Sequence, residues 1–266
     1  MTRCWLSWIS ALHIKSINLS ASILTIWIAL YSRNNTPCAL AVTHQKIIFL
    51  HMPKCAGSSM KEVFRKFYGD KLKEDYDSYC RLPREKRFTQ IELEMRKNCV
   101  GFEGKMVFGH FYPYKYLYNI SAASRDKYFL VSFLRDPLQR LISHYVYWKR
   151  GQFCKNYVWR RMVREQWSFR RFALSQEMQN FYSQYLFQVP ISSFDFIGVH
   201  ENLTHDWARL CRFLGIPKNE PPFRNASNSE KEFPIISESL RQEIRAFHSE
   251  DYFLYGCALE QSQVTA

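Results

Sequence analysis

The chain has 266 residues, of which 47% are hydrophobic and 17% aromatic, so it can bury a core as one ordinary domain or two very small ones and is not disordered, collagen-like or of low complexity. Lys and Arg number 37 against 24 Asp and Glu, a formal net charge of +13, which implies an anionic partner: nucleic acid, a membrane surface, a phosphorylated cofactor or an acidic polysaccharide. Eight cysteines are too few for a disulfide-built scaffold, so the core must carry the fold.

Residues 5–31 hold one Lys and one His, and residues 16–31 (SINLSASILTIWIALY) are uncharged and largely aliphatic. This clean run of 16 residues is shorter than the roughly 20 an ordinary bilayer needs, but Lys15 can snorkel and thinner secretory membranes accept shorter spans. Residues 1–32 therefore read as a short cytoplasmic end with a signal anchor. The competitors are a cleavable signal peptide, with small residues at Ala39-Leu40-Ala41, and a buried helix. Either of the first two sends the rest of the chain into the secretory lumen. Glycosylation triplets at Asn119, Asn202 and Asn225 agree with that address. Six cysteines beyond the anchor and outside the loop described below (Cys38, Cys80, Cys99, Cys154, Cys211, Cys257) allow lumenal bridges, Cys80 with Cys99 being one pairing, or buried free thiols. No zinc-type Cys/His spacing occurs, so no metal is expected.

Residues 33–45 form a short polar stem, and residues 46–266 show no internal repeat or long linker, which predicts one catalytic-sized domain. Short apolar runs at 46–50 (KIIFL), 106–108 (MVF), 128–134 (YFLVSFL) and 194–199 (FDFIGV) do not alternate, as expected of strands buried on both faces. Between them lie helical stripes. Met60, Val63, Phe64 and Phe67 end at Gly69; Leu138, Leu141, Ile142 and Tyr145 precede Gly151; Leu203, Trp207, Leu210 and Leu214 end at Gly215. Alternating strands and helices predict an α/β fold with a parallel sheet and right-handed crossovers, whose ligands bind beyond the carboxyl ends of the strands.

Two of those ends carry chemistry. The first strand runs into His51-Met52-Pro53-Lys54-Cys55-Ala56-Gly57-Ser58-Ser59 and then a helix. A tight loop of small residues at a helix N-terminus makes an anion cradle, to which Lys54 adds a charge and Ser58 and Ser59 add hydroxyls; the alternative is a turn and a helix cap. It is not a Walker loop, because Lys precedes the Gly and no Asp-ended strand for magnesium is evident, which disfavours a P-loop kinase. The third run ends in Arg135-Asp136-Pro137, with Asp136 as N-cap, Pro137 at the first helical position and Ser143 further along the helix. Arg135 at a strand tip with a helix hydroxyl suits a phosphate; the alternative is a cap with Arg135 solvated. His51 reads as a strand-end packing residue. Arg160, Arg161, Arg164, Arg170 and Arg171 are interleaved with aromatics, and Arg81, Arg84, Lys86 and Arg87 form a second cluster. Both read as solvated helix faces or as a track for an acidic glycan; a secretory anchor speaks against nucleic acid.

PKCAGSS after an apolar strand resembles the 5′-phosphosulfate loop (PKxxGxS/T) of sulfotransferases, and RDPLQRLISHYVYW resembles their 3′-phosphate motif, Arg followed eight residues later by Ser. The order of the motifs, with Gly109-His110 between them, is similar to the Golgi carbohydrate sulfotransferases, the type that includes heparan sulfate 2-O-sulfotransferase. FIGVHENL and the terminal EDYFLYGCALEQ extend the likeness over roughly residues 46–258. Cys55-Ala56 departs from the more usual Thr-Gly or Thr-Ala, but both residues are small.

The resemblance implies a P-loop-like three-layer sandwich that moves a sulfuryl group from 3′-phosphoadenosine 5′-phosphosulfate (PAPS) to a hydroxyl of a glycosaminoglycan-like acceptor, as a single-pass type II Golgi membrane enzyme. It implies that Lys54, Ser58, Ser59 and the backbone of Cys55, Ala56 and Gly57 hold the 5′-phosphosulfate. Arg135 and Ser143 would hold the 3′-phosphate, Lys54 would assist the departing oxygen, and His110 would be the base. A noncatalytic anion-binding lectin of the lumen is the remaining alternative.

Overall fold

The computed structural model describes residues 46–76, 102–117, 120, 122–151, 153, 156–186, 189–217 and 233–264. The anchor and stem segments, the cluster from Arg81 to Arg87, the Cys80–Cys99 pairing, and Asn119 and Asn225 lie outside these residues. Among the described residues no helix is long and apolar enough to cross a membrane.

The expected strands form, with shifted ends. They are β1 (Lys46–Leu50), β3 (Met106–His110), β4 (Tyr128–Leu134) and β5 (Phe196–Val199). The second apolar run continues two residues further than its hydrophobicity indicates, so His110 is the last residue of a strand. Phe194 and Asp195 fall outside β5. Asp195 instead turns its carboxylate onto the Leu130 N–H at 2.8 Å and the Arg125 guanidinium at 3.1 Å, and so closes the entrance to β4. A further strand, β2 (Leu72–Tyr76, LKEDY), carries no apolar run. It is an edge strand, paired on one side only, and its charged residues meet partners from neighbouring segments: Glu74 binds Lys61 and Arg65, and Asp75 binds Lys115 at 2.7 Å. Charge on an exposed edge prevents pairing with other chains.

All five strands run parallel in the order β2-β3-β1-β4-β5. After β1 the chain moves outward to β2 and steps back to β3, then crosses to the far side of β1 for β4 and β5. The direction of winding therefore reverses between β1 and β4. With right-handed crossovers, opposite directions put the connecting helices on opposite faces of the sheet. Helix α1 (Gly57–Tyr68) covers one face beside α6 (Leu203–Leu214), joined through Phe64 and Trp207 with ring centroids 5.5 Å apart. The other layer holds α2 (Pro137–Arg150), α3 (Tyr157–Arg164), α4 (Phe169–Ala173), α5 (Phe181–Leu186), α7 (Glu238–Phe247) and α8 (Ser249–Val264). This is the expected three-layer α/β architecture.

Helix ends follow local chemistry. Asp136 caps α2 by accepting the Gln139 N–H at 2.9 Å, with Pro137 at the first helical position. Gly69, Gly151 and Gly215 end α1, α2 and α6, and Gly215 does so at φ +65°, where a side chain would be strained. On the α1 side the core is aromatic: Phe49 packs against Phe64, Phe108 and Phe133 at centroid distances of 5.4, 4.8 and 6.1 Å.

One buried carboxylate fastens the far edge of the sheet. Asp206, fully enclosed on α6, accepts the Val199 N–H at the end of β5 (2.8 Å), Arg209 (2.9 Å) and the Ser262 hydroxyl from α8 (2.9 Å). Its removal takes from the buried Arg209 the carboxylate it meets at 2.9 Å. Asp206→Ala should therefore cost about 3–5 kcal/mol of stability in a urea titration; a loss under about 1 kcal/mol, the level of a surface pair, would contradict the role given to this network.

Candidate functional site

β1 and β4 are hydrogen-bonded neighbours whose registers align Leu50 with Ser132, so the loops that follow them emerge side by side. The buried Ser132 hydroxyl donates to the Leu50 carbonyl at 2.9 Å and fixes that alignment near the carboxyl ends. Beyond them opens a cleft of about 1140 Å³, the size of a substantial ligand site. Lys54, Ala56, Gly57, Ser58 and Ser59 from the first loop, Arg135 and Ser143 from the second, and His51 and His110 all face it. The residues singled out in the sequence thus meet at the point where the sheet reverses its winding.

The first loop is shaped by backbone conformation. Lys54 and Ala56 both adopt positive φ, 71° and 64°, uncommon for residues with side chains and typical of concave turns that aim successive N–H groups at an anion. Ala56 precedes α1 without a side-chain cap, so the helix dipole end is left facing the cleft. Gly57 is required by contact: a Cβ there would lie 1.9 Å from the His51 ring. The cradle is narrower than the sequence suggests. The Cys55 N–H closes a turn onto the Met52 carbonyl at 3.3 Å, and the Ser59 N–H reaches Ala56 at 3.1 Å. The Cys55 thiol points away from the cleft into the core, 3.7 Å from the Tyr182 hydroxyl, and burial pushes it up to about 11.

The cations are held in place. The Lys54 ammonium sits 3.9 Å above the centre of the Tyr147 ring, a cation–π contact. Burial, and then the nearby Arg135, lower the Lys54 amine to about 8. Arg135 donates from Nη1 to the Lys54 carbonyl at 3.5 Å, while its buried Nε has no protein partner. A buried guanidinium nitrogen without an acceptor is costly unless a ligand supplies one. Behind the second loop Glu201 accepts the Asp136 N–H at 3.0 Å and the Tyr255 hydroxyl at 2.9 Å.

His110 ends β3 on the opposite side of β1. Its Nδ1 lies 2.7 Å from the backbone carbonyl of His51. A carbonyl only accepts, so Nδ1 carries the proton and Nε2 keeps its lone pair. The His51 ring stacks on it at 4.3 Å with 27° between planes. Burial lowers His110 to about 4 against the opposing His51 carbonyl bond, and burial followed by His110, Lys61 and Lys54 holds His51 well below the usual imidazole range. Both rings are neutral at physiological pH. His51 is a packing residue at the strand end, as expected, and it also supplies the stack and the carbonyl that orient His110.

The arginine-aromatic stretch resolves as a largely paired face. Arg161, Arg164 and Arg171 converge on Glu165 at 3.4, 3.0 and 2.5 Å, and Arg170 meets Glu243 at 2.5 Å, while Trp167, Phe169 and Phe172 turn into the core. The Trp167 N–H, then Arg164 and Arg161, hold the Glu165 carboxyl near 2. Cys211 is a buried free thiol and Cys257 a half-buried one. Asn202 is exposed on the rim of the cleft.

Tyr182, Tyr147, His144 and Glu201 belong to the cleft or its supports but were given no role by the sequence, although Tyr147, His144 and Glu201 lie in the segments RDPLQRLISHYVYW and FIGVHENL that carry the resemblance. Tyr182 and Tyr147 look like core aromatics in apolar stretches, and their partners lie far away in the chain.

The sequence model of the sulfotransferase family matches residues 39–257. An uncharacterized protein of Archaeoglobus fulgidus is 31% identical over 97 residues, 35% of this chain and 72% of that protein. A sulfotransferase of Alicyclobacillus acidocaldarius aligns with 79% of this chain and 93% of its own, at 14% identity and a TM-score of 0.33. The mouse sulfotransferase SULT7A1, solved with PAP, aligns with 86% of this chain and 70% of its own at 14% identity and the same TM-score of 0.33.

Because Arg135 is one of the two causes holding the Lys54 amine down, replacing it by Gln should raise the Lys54 pKa above about 8, toward that of an ordinary lysine. A carbon-13 NMR titration of labelled lysines reads this directly. A Lys54 resonance that titrates identically in the wild type and Arg135→Gln would contradict the coupling of the two loops.

Proposed function

Since the chain belongs to the sulfotransferase family and is a sulfotransferase enzyme, we propose that its donor is PAPS and its acceptor a hydroxyl of an anionic glycan. The observation that carries the donor reading is the meeting of two cationic loops on one cleft, one with a concave backbone and a helix N-terminus, the other with a buried guanidinium nitrogen lacking an acceptor. Lys54, the Ala56–Ser58 backbone and the Ser58 and Ser59 hydroxyls would hold the 5′-phosphosulfate. Arg135 and Ser143 would hold the 3′-phosphate.

The bound donor supplies a sulfuryl group and leaves as adenosine 3′,5′-bisphosphate. The protein's task is to place charge and to remove one proton. His110, neutral and with Nε2 unprotonated, is the general base for the acceptor hydroxyl as the new S–O bond forms. Lys54 and Arg135 supply fixed positive charge where the donor's anionic groups lie, the kind of preorganised stabilisation that dominates group transfer between oxygens.

The acceptor reading rests on the net charge of +13 and on the cationic cleft. Most of the Arg160–Arg171 cluster is engaged in ion pairs, so it lends that reading little weight. A lumenal Golgi location behind an N-terminal anchor is proposed with it, on the sequence of residues 1–45 and the exposed triplet at Asn202. Transfer of labelled sulfate from PAPS onto a panel of polysaccharides, tyrosine peptides and small alcohols tests both halves. Label on glycan supports the proposal; label only on peptide or alcohol redirects the acceptor, and label from ATP instead of PAPS overturns the donor.

Lys54→Ala and Arg135→Ala should each abolish binding of adenosine 3′,5′-bisphosphate in calorimetry, and unchanged affinity in both would refute the donor site. His110→Ala should leave that binding intact and lower kcat about 10²- to 10⁴-fold. The pH profile follows from the same groups. His110 is a base only when neutral, so the rate should rise as pH increases through about 4; Lys54 must be charged, so donor affinity should fall above about 8. An acid limb near 6.5, the ordinary imidazole value, would contradict the buried-base assignment.

A further inference from the structure

A buried phenol touches both anion loops. Tyr182 on α5 is fully enclosed. Its hydroxyl donates to the Arg135 carbonyl at 2.6 Å and accepts the Arg135 N–H at 3.1 Å, so one oxygen satisfies both backbone groups of the residue at the tip of β4. With its only proton committed there, the same oxygen can only accept from the Cys55 thiol, 3.7 Å away in the first loop, whose single proton is shared with the Pro53 carbonyl at 3.8 Å. The phenol is itself anchored from behind. The Asp251 carboxylate on α8, also fully buried, accepts the Tyr182 N–H at 2.8 Å, and the Arg140 guanidinium of α2 lies 4.2 Å from the centre of the Phe181 ring and 5.5 Å from that of Tyr182.

A rigid oxygen touching both loops sets their separation. If the first loop shifts toward an anion, the Cys55 contact moves with it, and the strain reaches Arg135 through atoms too closely packed to absorb it. The long bond from Arg135 Nη1 to the Lys54 carbonyl, 3.5 Å, lies on the same boundary.

We propose that Tyr182 is a positioning residue that couples the two loops, so that filling one with an anionic group raises the affinity of the other. The inference rests on the donor reading above and adds to it that the ends of the nucleotide bind cooperatively, through a residue that need not touch the ligand.

Calorimetry on the wild type and Tyr182→Phe with adenosine 5′-monophosphate, adenosine 3′-monophosphate and adenosine 3′,5′-bisphosphate separates the possibilities. In the wild type the bisphosphate should bind far more tightly than either monophosphate. In Tyr182→Phe the gain from the second phosphate should shrink by roughly tenfold, inside the 5- to 150-fold range of intramolecular coupling. A gain equal in both proteins, or a uniform loss for all three nucleotides, would overturn the inference and leave the donor site standing. A wild type that gains nothing from the 3′-phosphate would instead defeat the donor reading, and the inference with it.

Should Tyr182→Phe fail to fold, hydrogen exchange on the wild type gives the same decision. Adenosine 5′-monophosphate, which lacks the phosphate assigned to the second loop, should slow exchange at the Arg135 amide. An Arg135 amide indifferent to that nucleotide would overturn the coupling.

Discussion

The parallel pairing of β1 with β4 is the constraint on which the site depends. These strands lie where the winding of the sheet reverses, so the loops after them diverge to opposite faces and leave a crevice between their first residues. Lys54 and Arg135, 81 residues apart, become neighbours because Leu50 and Ser132 are aligned in register. The register is pinned near its end by the Ser132 hydroxyl on the Leu50 carbonyl. The position of the cleft is thus a consequence of sheet topology: the cations of the loops repel each other, and the Tyr182 hydroxyl and the bond from Arg135 to the Lys54 carbonyl fasten what the register has aligned.

That repulsion gives the site its electrostatic character. Lys54 and Arg135 are drawn together with a helix N-terminus and a pair of buried imidazoles, and little negative charge is interposed. Burial works against every protonated group, but each responds differently. Arg135 contributes a guanidinium whose buried Nε has no protein partner. The Lys54 amine is weakened to about 8 and rests on the Tyr147 ring. His51 is held well below the usual imidazole range and His110 is lowered to about 4. The result is a fixed cation, a marginal cation and a neutral base around one cleft. An anion entering there relieves the repulsion and favours the charged form of Lys54.

Much of this was legible in the sequence, for identifiable reasons. The strands of the sheet interior are runs such as KIIFL and YFLVSFL that only two-sided burial explains, and the helices after them carry stripes closed by Gly69, Gly151 and Gly215. Lys54, Gly57 and Arg135 stood out because polar or flexible residues interrupt apolar runs where strands end, whereas His110 was singled out only by the resemblance to sulfotransferases. β2 was invisible because an edge strand needs no apolar run, and LKEDY is stabilised by pairs with Lys61, Arg65 and Lys115. Tyr182 and Tyr147 were hidden for the opposite reason. In sequence an aromatic in an apolar stretch is core, and only three dimensions show where its hydroxyl or ring face is spent. The direction of the Cys55 thiol, and its N–H bond back to Met52, depended on φ angles that no composition reveals.

In the proposed function the Lys54 loop and the Arg135 loop take opposite ends of one nucleotide. A crystal structure of the protein with adenosine 3′,5′-bisphosphate measures this most directly. The 5′-phosphate is expected over residues 54–59 and the 3′-phosphate within hydrogen-bonding distance of Arg135 and Ser143. A nucleotide lodged elsewhere, or one whose two phosphates both lie on the same loop, would contradict it.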